Sequence, residues 1–231
     1  ALLPTLVLIL IAPSLGDAQV PVVTNITSTT GTGDLGTIIT PSGHFYDITQ
    51  GTRPGGGPNL FHSFGDFTVG IGDIANFLND SGLTTTNIIG RVTGGNPSSI
   101  DGIIQTTDFP GANLFLINPS GIVFGPHGSL NVGGSVSFST AQYLRLFDGI
   151  NSANFYADSA KDSLTNSVLV LPPLVDFGFL SPVAPAAYGF LDVPNPLATI
   201  TVQQGSALSV LPGQSISLVG GKVIIESGTP A

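Results

Sequence analysis

Four glycines punctuate the C-terminal stretch of the chain, Gly205, Gly213, Gly221 and Gly228, at intervals of eight, eight and seven residues. The intervening segments read TITVQQG, SALSVLPG, QSISLVGG and KVIIESG. Each carries two or three apolar residues at alternate positions, the period of a strand with one buried face. Each then stops at a residue that favours a turn. The same pattern begins at Asn87 with NIIGRVTGG, SSIDGIIQT, NLFLINPSG, IVFGPHG, SLNVGG and SVSFST. Strands this short, joined by turns this short, form either a meander of hairpins or a wound solenoid. The Asn-Gly turns that hairpins favour are absent. Three strand-turn units occupy the 23 residues from Gly205 to Gly228, enough for one triangular coil. Stacked coils bury their inward apolar residues in one continuous core. Periodicity alone makes the β-solenoid the better of these two arrangements.

Composition supports an all-β reading. Only 8% of the 231 residues are charged, while glycine numbers 31 and proline 18. A surface built from Ser, Thr, Asn, Gln and Gly suits strands and turns rather than exposed helices. Parallel stacking also explains the scarcity of charge, since identical charges on successive coils would repel. The net charge of -9, with five Lys and Arg together, leaves no basic footprint for nucleic acid or anionic membrane. There is no cysteine, which excludes a disulfide, a thiolate metal site and a cysteine nucleophile.

Residues Leu2–Ala12 form an apolar run broken by Pro13 and Gly16, with small residues in Gly16-Asp17-Ala18. This reads as a secretory signal peptide over residues 1–18, engaging the general export machinery, with the mature chain starting at Gln19. The run is too short for a membrane-spanning helix and contains Pro4. Residues 19–231 read as one domain. Within it, Val20–Ile26 and Thr37–Thr40 are predicted strands, and Gly51–Asn59 a loop without regular structure. Leu60–Val69 is predicted to be a half-buried strand. Ile71, Ile74, Ala75 and Leu78 have helical spacing and predict one short helix or turn over 71–78. Six prolines between Leu171 and Pro196 exclude a central strand and predict an excursion outside the solenoid or an edge-covering loop. The aromatic and apolar residues there, Phe177, Phe179, Leu180, Tyr188, Phe190 and Leu191, are expected to be buried. The chain ends in mid-rhythm at Glu226–Ala231, which leads us to expect a longer polypeptide whose downstream part carries the adhesive or effector role.

Several motifs, taken in order, resemble one family. They are Asn59–Phe64 (NLFHSF), Ile89–Gly95 (IGRVTGG), Ser99–Gly102 (SIDG), Asn113–Gly125 (NLFLINPSGIVFG) and Gly134–Ala141 (GSVSFSTA). The run is similar to the N-terminal secretion domain of the filamentous haemagglutinin family, the exported partners of two-partner secretion, from about Ile39 onward. The resemblance implies a right-handed parallel β-helix, a single-stranded solenoid with extra-helical loops and an N-terminal cap. It implies a partner outer-membrane transporter, a β-barrel with periplasmic docking domains, and passage through the periplasm of a two-membrane bacterium to the surface or medium. It also implies that the domain nucleates a longer β-helix, with any host or neighbouring-cell ligand bound by the downstream region. One family signature, Asn-Pro-Asn-Gly-Ile, corresponds to Asn118, Pro119, Ser120, Gly121 and Ile122, with serine in its third place. A second, Asn-Pro-Asn-Leu, has no intact counterpart.

The Asn118–Gly121 stretch is also a turn signal by its own chemistry. Pro119 fixes φ at the first corner and Gly121 permits a positive φ. It separates NLFLI from IVF, which places Leu114, Leu116, Ile122 and Phe124 inward. The turn reads as a corner that sets coil geometry or, more sharply, as a recognition element for the transporter.

Other constellations are weak. Gly31–Gly36 fits G-x-G-x-x-G, but a β-like TIIT, Pro41 and Gly43 follow where a dinucleotide fold needs a helix. His44, His62 and His127 are scattered rather than spaced as zinc ligands. His62 is expected to be a satisfied histidine at a strand edge. No cofactor is implied. Parallel β-helices also host carbohydrate-active enzymes and glycan-binding modules, which need converging carboxylates or an aromatic platform. The acidic residues Asp66, Asp73, Asp101, Asp108 and Asp148 read as isolated turn residues. The reading favours a non-enzyme.

Overall fold

The computed structural model describes residues 21–147, 150–164, 167–169, 184–191 and 198–227. The segment read as a signal peptide lies outside them, as does most of Leu171–Pro196.

The described chain is almost entirely β, in four sheets. The first contains, in spatial order, β1 (Asn25–Ser28), β4 (Asn59–Thr68), β6 (Asn87–Val92), β9 (Asn113–Ile117), β12 (Val136–Ser139) and β17 (Ile216–Val219). The second contains β2 (Thr37–Ser42), β3 (Phe45–Gln50), β5 (Ile74–Phe77), β8 (Ile103–Gln105) and β11 (Ser129–Asn131). The third contains β7 (Ser98–Ile100), β10 (Ile122–Phe124), β16 (Thr199–Val202) and β18 (Lys222–Ile225). In these three sheets every strand pair is parallel except β1 with β4 and β2 with β3. The fourth sheet, β14 (Ser152–Tyr156), β13 (Tyr143–Phe147) and β15 (Ala184–Gly189), is antiparallel.

Register explains why the motifs recur. Leu60, Ile88, Leu114 and Val136 face the same way on successive strands of the first sheet. They meet Ile48, Ala75, Phe77 and Ile104 of the second sheet and Ile100, Ile122, Phe124 and Ile200 of the third in one core. Leu114, Leu116, Ile122 and Phe124 are each no more than 1% exposed, as their alternation predicts. Burying each such side chain contributes about 1.5–3 kcal/mol.

Two files of amides run across the strands. Asn87 donates to Asn59 across 28 residues, and Asn113 to Asn87 across 26. On the second sheet Asn76 donates to Asp47, Gln105 to Asn76 and Asn131 to Gln105. Amides can both donate and accept, so each satisfies its neighbour without adding charge. Replacing Asn76 by Asp would set two carboxylates 2.7 Å apart in place of this bond. Asn76→Asp is expected to lose about 2 kcal/mol at pH 7 and less below about pH 4, where carboxylates protonate. Urea midpoints at the two pH values check this.

Several expectations need correction. Ile71–Leu78 is not a helix: Ile74–Phe77 form strand β5, with Ala75 and Phe77 in the core and Asn76 in the amide file. Gly51–Asn59 is not structureless, since Pro54–Gly56 form a 3-10 turn, Thr52 bridges Phe61 and Asn59 opens β4. The first described strand begins at Asn25, residues 21–24 lie outside it, and Val23 is 80% exposed. Asp66 lies in β4, where Asn25 and Asn96 donate to it. Leu60–Val69 is not half-buried either, because residues Asn59–Phe64 are buried on both faces. The outward face carries Phe61, Ile89 and Ile117, which pack under Leu144, Leu146, Phe155 and Val168, part of an excursion from the first three sheets that starts at β13, earlier than the predicted Leu171. Phe61 and Phe155 have ring centroids 4.9 Å apart.

Of the proline-rich segment, the described strand β15 carries Pro185 on the edge of the fourth sheet, where a missing donor is tolerated. Tyr188 is only half-buried where burial was expected, and Phe190 and Leu191 are exposed. Phe177, Phe179 and Leu180 lie outside the described residues.

Candidate functional site

The Asn118–Ile122 turn closes between β9 and β10. The Asn118 side chain is fully buried. Its Nδ2 donates to the Asn96 carbonyl at 2.9 Å and to Ser98 Oγ at 3.0 Å, and its Oδ1 accepts from the Ser120 N–H at 2.9 Å. The Gly121 N–H donates to the Asn118 carbonyl at 3.1 Å, closing the turn. Gly121 has φ 122°, and a Cβ there would lie 3.2 Å from the Thr199 carbonyl. Ile122 joins the core, while Pro119 and Ser120 are partly exposed. The three hydrogen bonds of the Asn118 side chain are therefore directed inward, to its own turn and to the strand entry one layer earlier. In the folded domain an external partner reaches Pro119 and Ser120 but not the Asn118 amide.

Sequence reading missed a second constellation. Arg91 sits on the outward face of β6, beneath the fourth sheet, and is the largest fully buried side chain among the described residues. Its Nε donates to Ser63 Oγ at 2.9 Å. Nη1 donates to the Tyr156 carbonyl at 2.9 Å and to Asp162 Oδ1 at 2.7 Å. Nη2 donates to the Gly33 carbonyl at 2.8 Å and to Asp162 Oδ2 at 2.7 Å. All five N–H donors are used, in the bidentate fork that suits a guanidinium and a carboxylate. The cation also lies 5.0 Å from the Phe155 ring centroid. No local motif announces this site, because its partners lie 28 to 71 residues away.

The three histidines do not converge. His44 meets Asp73 at 2.9 Å and His127 meets Asp101 at 3.2 Å, both at exposed turns. The Thr24 hydroxyl, then the His44 ring, hold the Asp73 carboxyl below the ordinary value. His62 is no edge residue. It points into the core between Phe64 and Phe77 and is 1% exposed. Its Nδ1 lies 3.2 Å from Thr37 Oγ1, and Nε2 is buried without a hydrogen-bond partner. Burial, and secondarily the Arg53 charge, push its pKa down to about 3.

Gly31, Gly33 and Gly36 all have positive φ, and strand β2, not a helix, follows them. The cleft between the outward face of the first sheet and β15 measures about 300 Å³ and is lined by Phe115, Ser137, Leu144 and Tyr188 among others. Among the described residues no charged side chain lines it.

The chain belongs to the TPS secretion domain family, the filamentous-haemagglutinin type of two-partner secretion domain, whose family pattern matches residues 24–230. It is therefore part of a two-partner secretion exoprotein, a class served by an outer-membrane transporter, and its family is not one of enzymes. No curated protein matches the chain.

Proposed function

We propose that this domain is the secretion and folding-nucleation segment of a large surface-exposed or secreted exoprotein. A partner outer-membrane β-barrel with periplasmic docking domains takes it up. The full-length protein is an adhesin whose ligand is bound further downstream. The observation that carries this reading is the family match across 24–230. The fold reading that accompanies it is a right-handed parallel β-helix with the fourth sheet as an extra-helical cover. It is supported by the order in which the chain from β6 to β11 twice visits the first, third and second sheets, and by parallel pairing at offsets of 22 to 29 residues. Among the described residues β17 and β18 pair on one side only, which suits templating of further strands.

The Asn118–Ile122 turn serves this function through geometry: it fixes the corner from β9 to β10, and any reading by the transporter precedes its closure. Removing the Asn118 side chain deletes three hydrogen bonds, the one to Ser98 fully buried, and is expected to cost about 2 kcal/mol. Gly121→Val places a β-branched residue at φ 122°, with strain of about 1–3 kcal/mol. With the partner barrel co-expressed, secretion of Asn118→Ala and Gly121→Val should fall in proportion to the lowered urea midpoints of the purified variants. A block of Asn118→Ala secretion far beyond its stability loss would make the turn a recognition element instead. Wild-type secretion of both variants would remove either role.

A further inference from the structure

The base of the β2–β3 hairpin closes over the His62 ring. Thr37 Oγ1 stands 3.2 Å from Nδ1 and also accepts from the Ser63 N–H at 3.1 Å. A Cβ built on Gly51 would sit 3.0 Å from both Nδ1 and Cε1, so the backbone there rests directly on the imidazole. The two halves of the base meet through the Thr37–Gln50 pair and the Thr52 hydroxyl, which donates to the Leu35 carbonyl. This cover is lightly held. β2 is the edge of its sheet and pairs with β3 alone among the described residues. Gln50, with φ 58°, is the one non-glycine among them with a positive φ, a strained backbone state. An imidazolium has two N–H donors to place. Here the Thr37 hydroxyl faces Nδ1, but nothing accepts from Nε2. Nor do the surrounding charges help. β2 and β5 carry no titratable side chain. On β3, Tyr46 packs on the main core and Asp47 holds Asn76 in the amide file. Asp34 accepts from the Gly36 N–H and Asp80 from the Gln50 N–H, both at exposed positions. Arg91 of β6 is paired with Asp162 on the outward face, and Arg53 repels a second cation.

We propose that the base of the β2–β3 hairpin is an acid-released lid, which lifts off His62 and lets water reach the protonated ring while β9 and β12 stay paired. Lifting it breaks the Thr37–Ser63 bond and the Thr52–Phe61 bridge but no pairing among β6, β9 and β12. The sign follows from the ring. Covered, it has a pKa of about 3, against 6.5 in water. The lifted state therefore takes up a proton that the closed state refuses, and falling pH favours lifting, about a hundredfold between pH 7 and pH 4.5.

Amide exchange of the purified chain, expressed as protection relative to the intrinsic rate at each pH, tests this. The probes are the Thr52, Phe61 and Ser63 amides, whose bonds the lift breaks. Between pH 7 and pH 4.5 their protection should fall about a hundredfold in the unmutated protein and less than about threefold in His62→Leu. His62→Gln, equally neutral, takes the place of His62→Leu if that variant does not fold. At both pH values the Leu114, Asn118 and Val136 amides, bonded between β9, β12 and β17, should stay at least about tenfold better protected than the probes. One shared protection factor for the two sets would mean that His62 meets water only when the whole domain unfolds. Equal acid acceleration with and without His62 would place the sensitivity on another group. Either result overturns the proposal.

Discussion

Acidification from pH 7 to pH 4 is expected to lower the stability of the domain by about 3 kcal/mol through His62 alone. Its pKa in the folded protein is about 3, against 6.5 for an ordinary histidine. The folded state therefore holds His62 neutral across a range in which the unfolded chain binds a proton. Stability is full above pH 6.5, falls as pH drops below it, and stops falling near pH 3. The cause is burial first, in a site where the ring lies against Phe64 and Phe77, and the Arg53 charge second. His62→Leu should flatten this slope by about one proton between pH 4 and 6. Urea unfolding at a series of pH values measures it. An unchanged slope in the variant would show that other groups carry the acid sensitivity.

Gly33→Ala is expected to cost about 4 kcal/mol or prevent folding. Two effects combine. Gly33 has φ 87°, where an alanine is strained, and its new Cβ would stand 2.0 Å from Ser159 Cβ and 3.0 Å from Arg91 Nη2. Gly31, two residues earlier, isolates the first effect: its φ is 74° with nothing within 4 Å of a built Cβ. Gly31→Ala should therefore cost only about 1 kcal/mol. Adding Ser159→Gly to Gly33→Ala should recover most of the difference. Equal thermal midpoints for the two alanine variants would refute the close fit described between this turn and the excursion.

The strands from Asn87 onward were legible in the sequence because they alternate and their turns carry Gly, Asn or Pro. The inward file Leu114, Leu116, Ile122 and Phe124 follows from that alternation alone. Ile71–Leu78 was misread because short apolar runs fit both periods, and the feature that settles it is not local. Asn76 is held by Asp47 and Gln105, each 29 residues away. The burial of both faces of Leu60–Phe64 was equally hidden, since its cover comes from Leu144, Phe155 and neighbouring residues of the later excursion. The Asn118 turn was visible as turn chemistry, including the positive φ at Gly121. That its amide is turned wholly inward was not, because Asn96 and Ser98 lie on another strand entry. Arg91 carried no local signal, and only tertiary packing gives it an anion.

The amide file on the second sheet has a further consequence. Every bond in it runs the same way, from the later residue to the earlier, and it starts on the carboxylate of Asp47, a group that only accepts when ionised. At the far end Asn131 has given one N–H to Gln105 and keeps a second N–H and its oxygen for a further neighbour. The Asp47 end is closed, since its carboxylate only accepts and β2 pairs along the other side of β3. The file can therefore lengthen in one direction alone, by an incoming strand that sets a side-chain amide against Asn131.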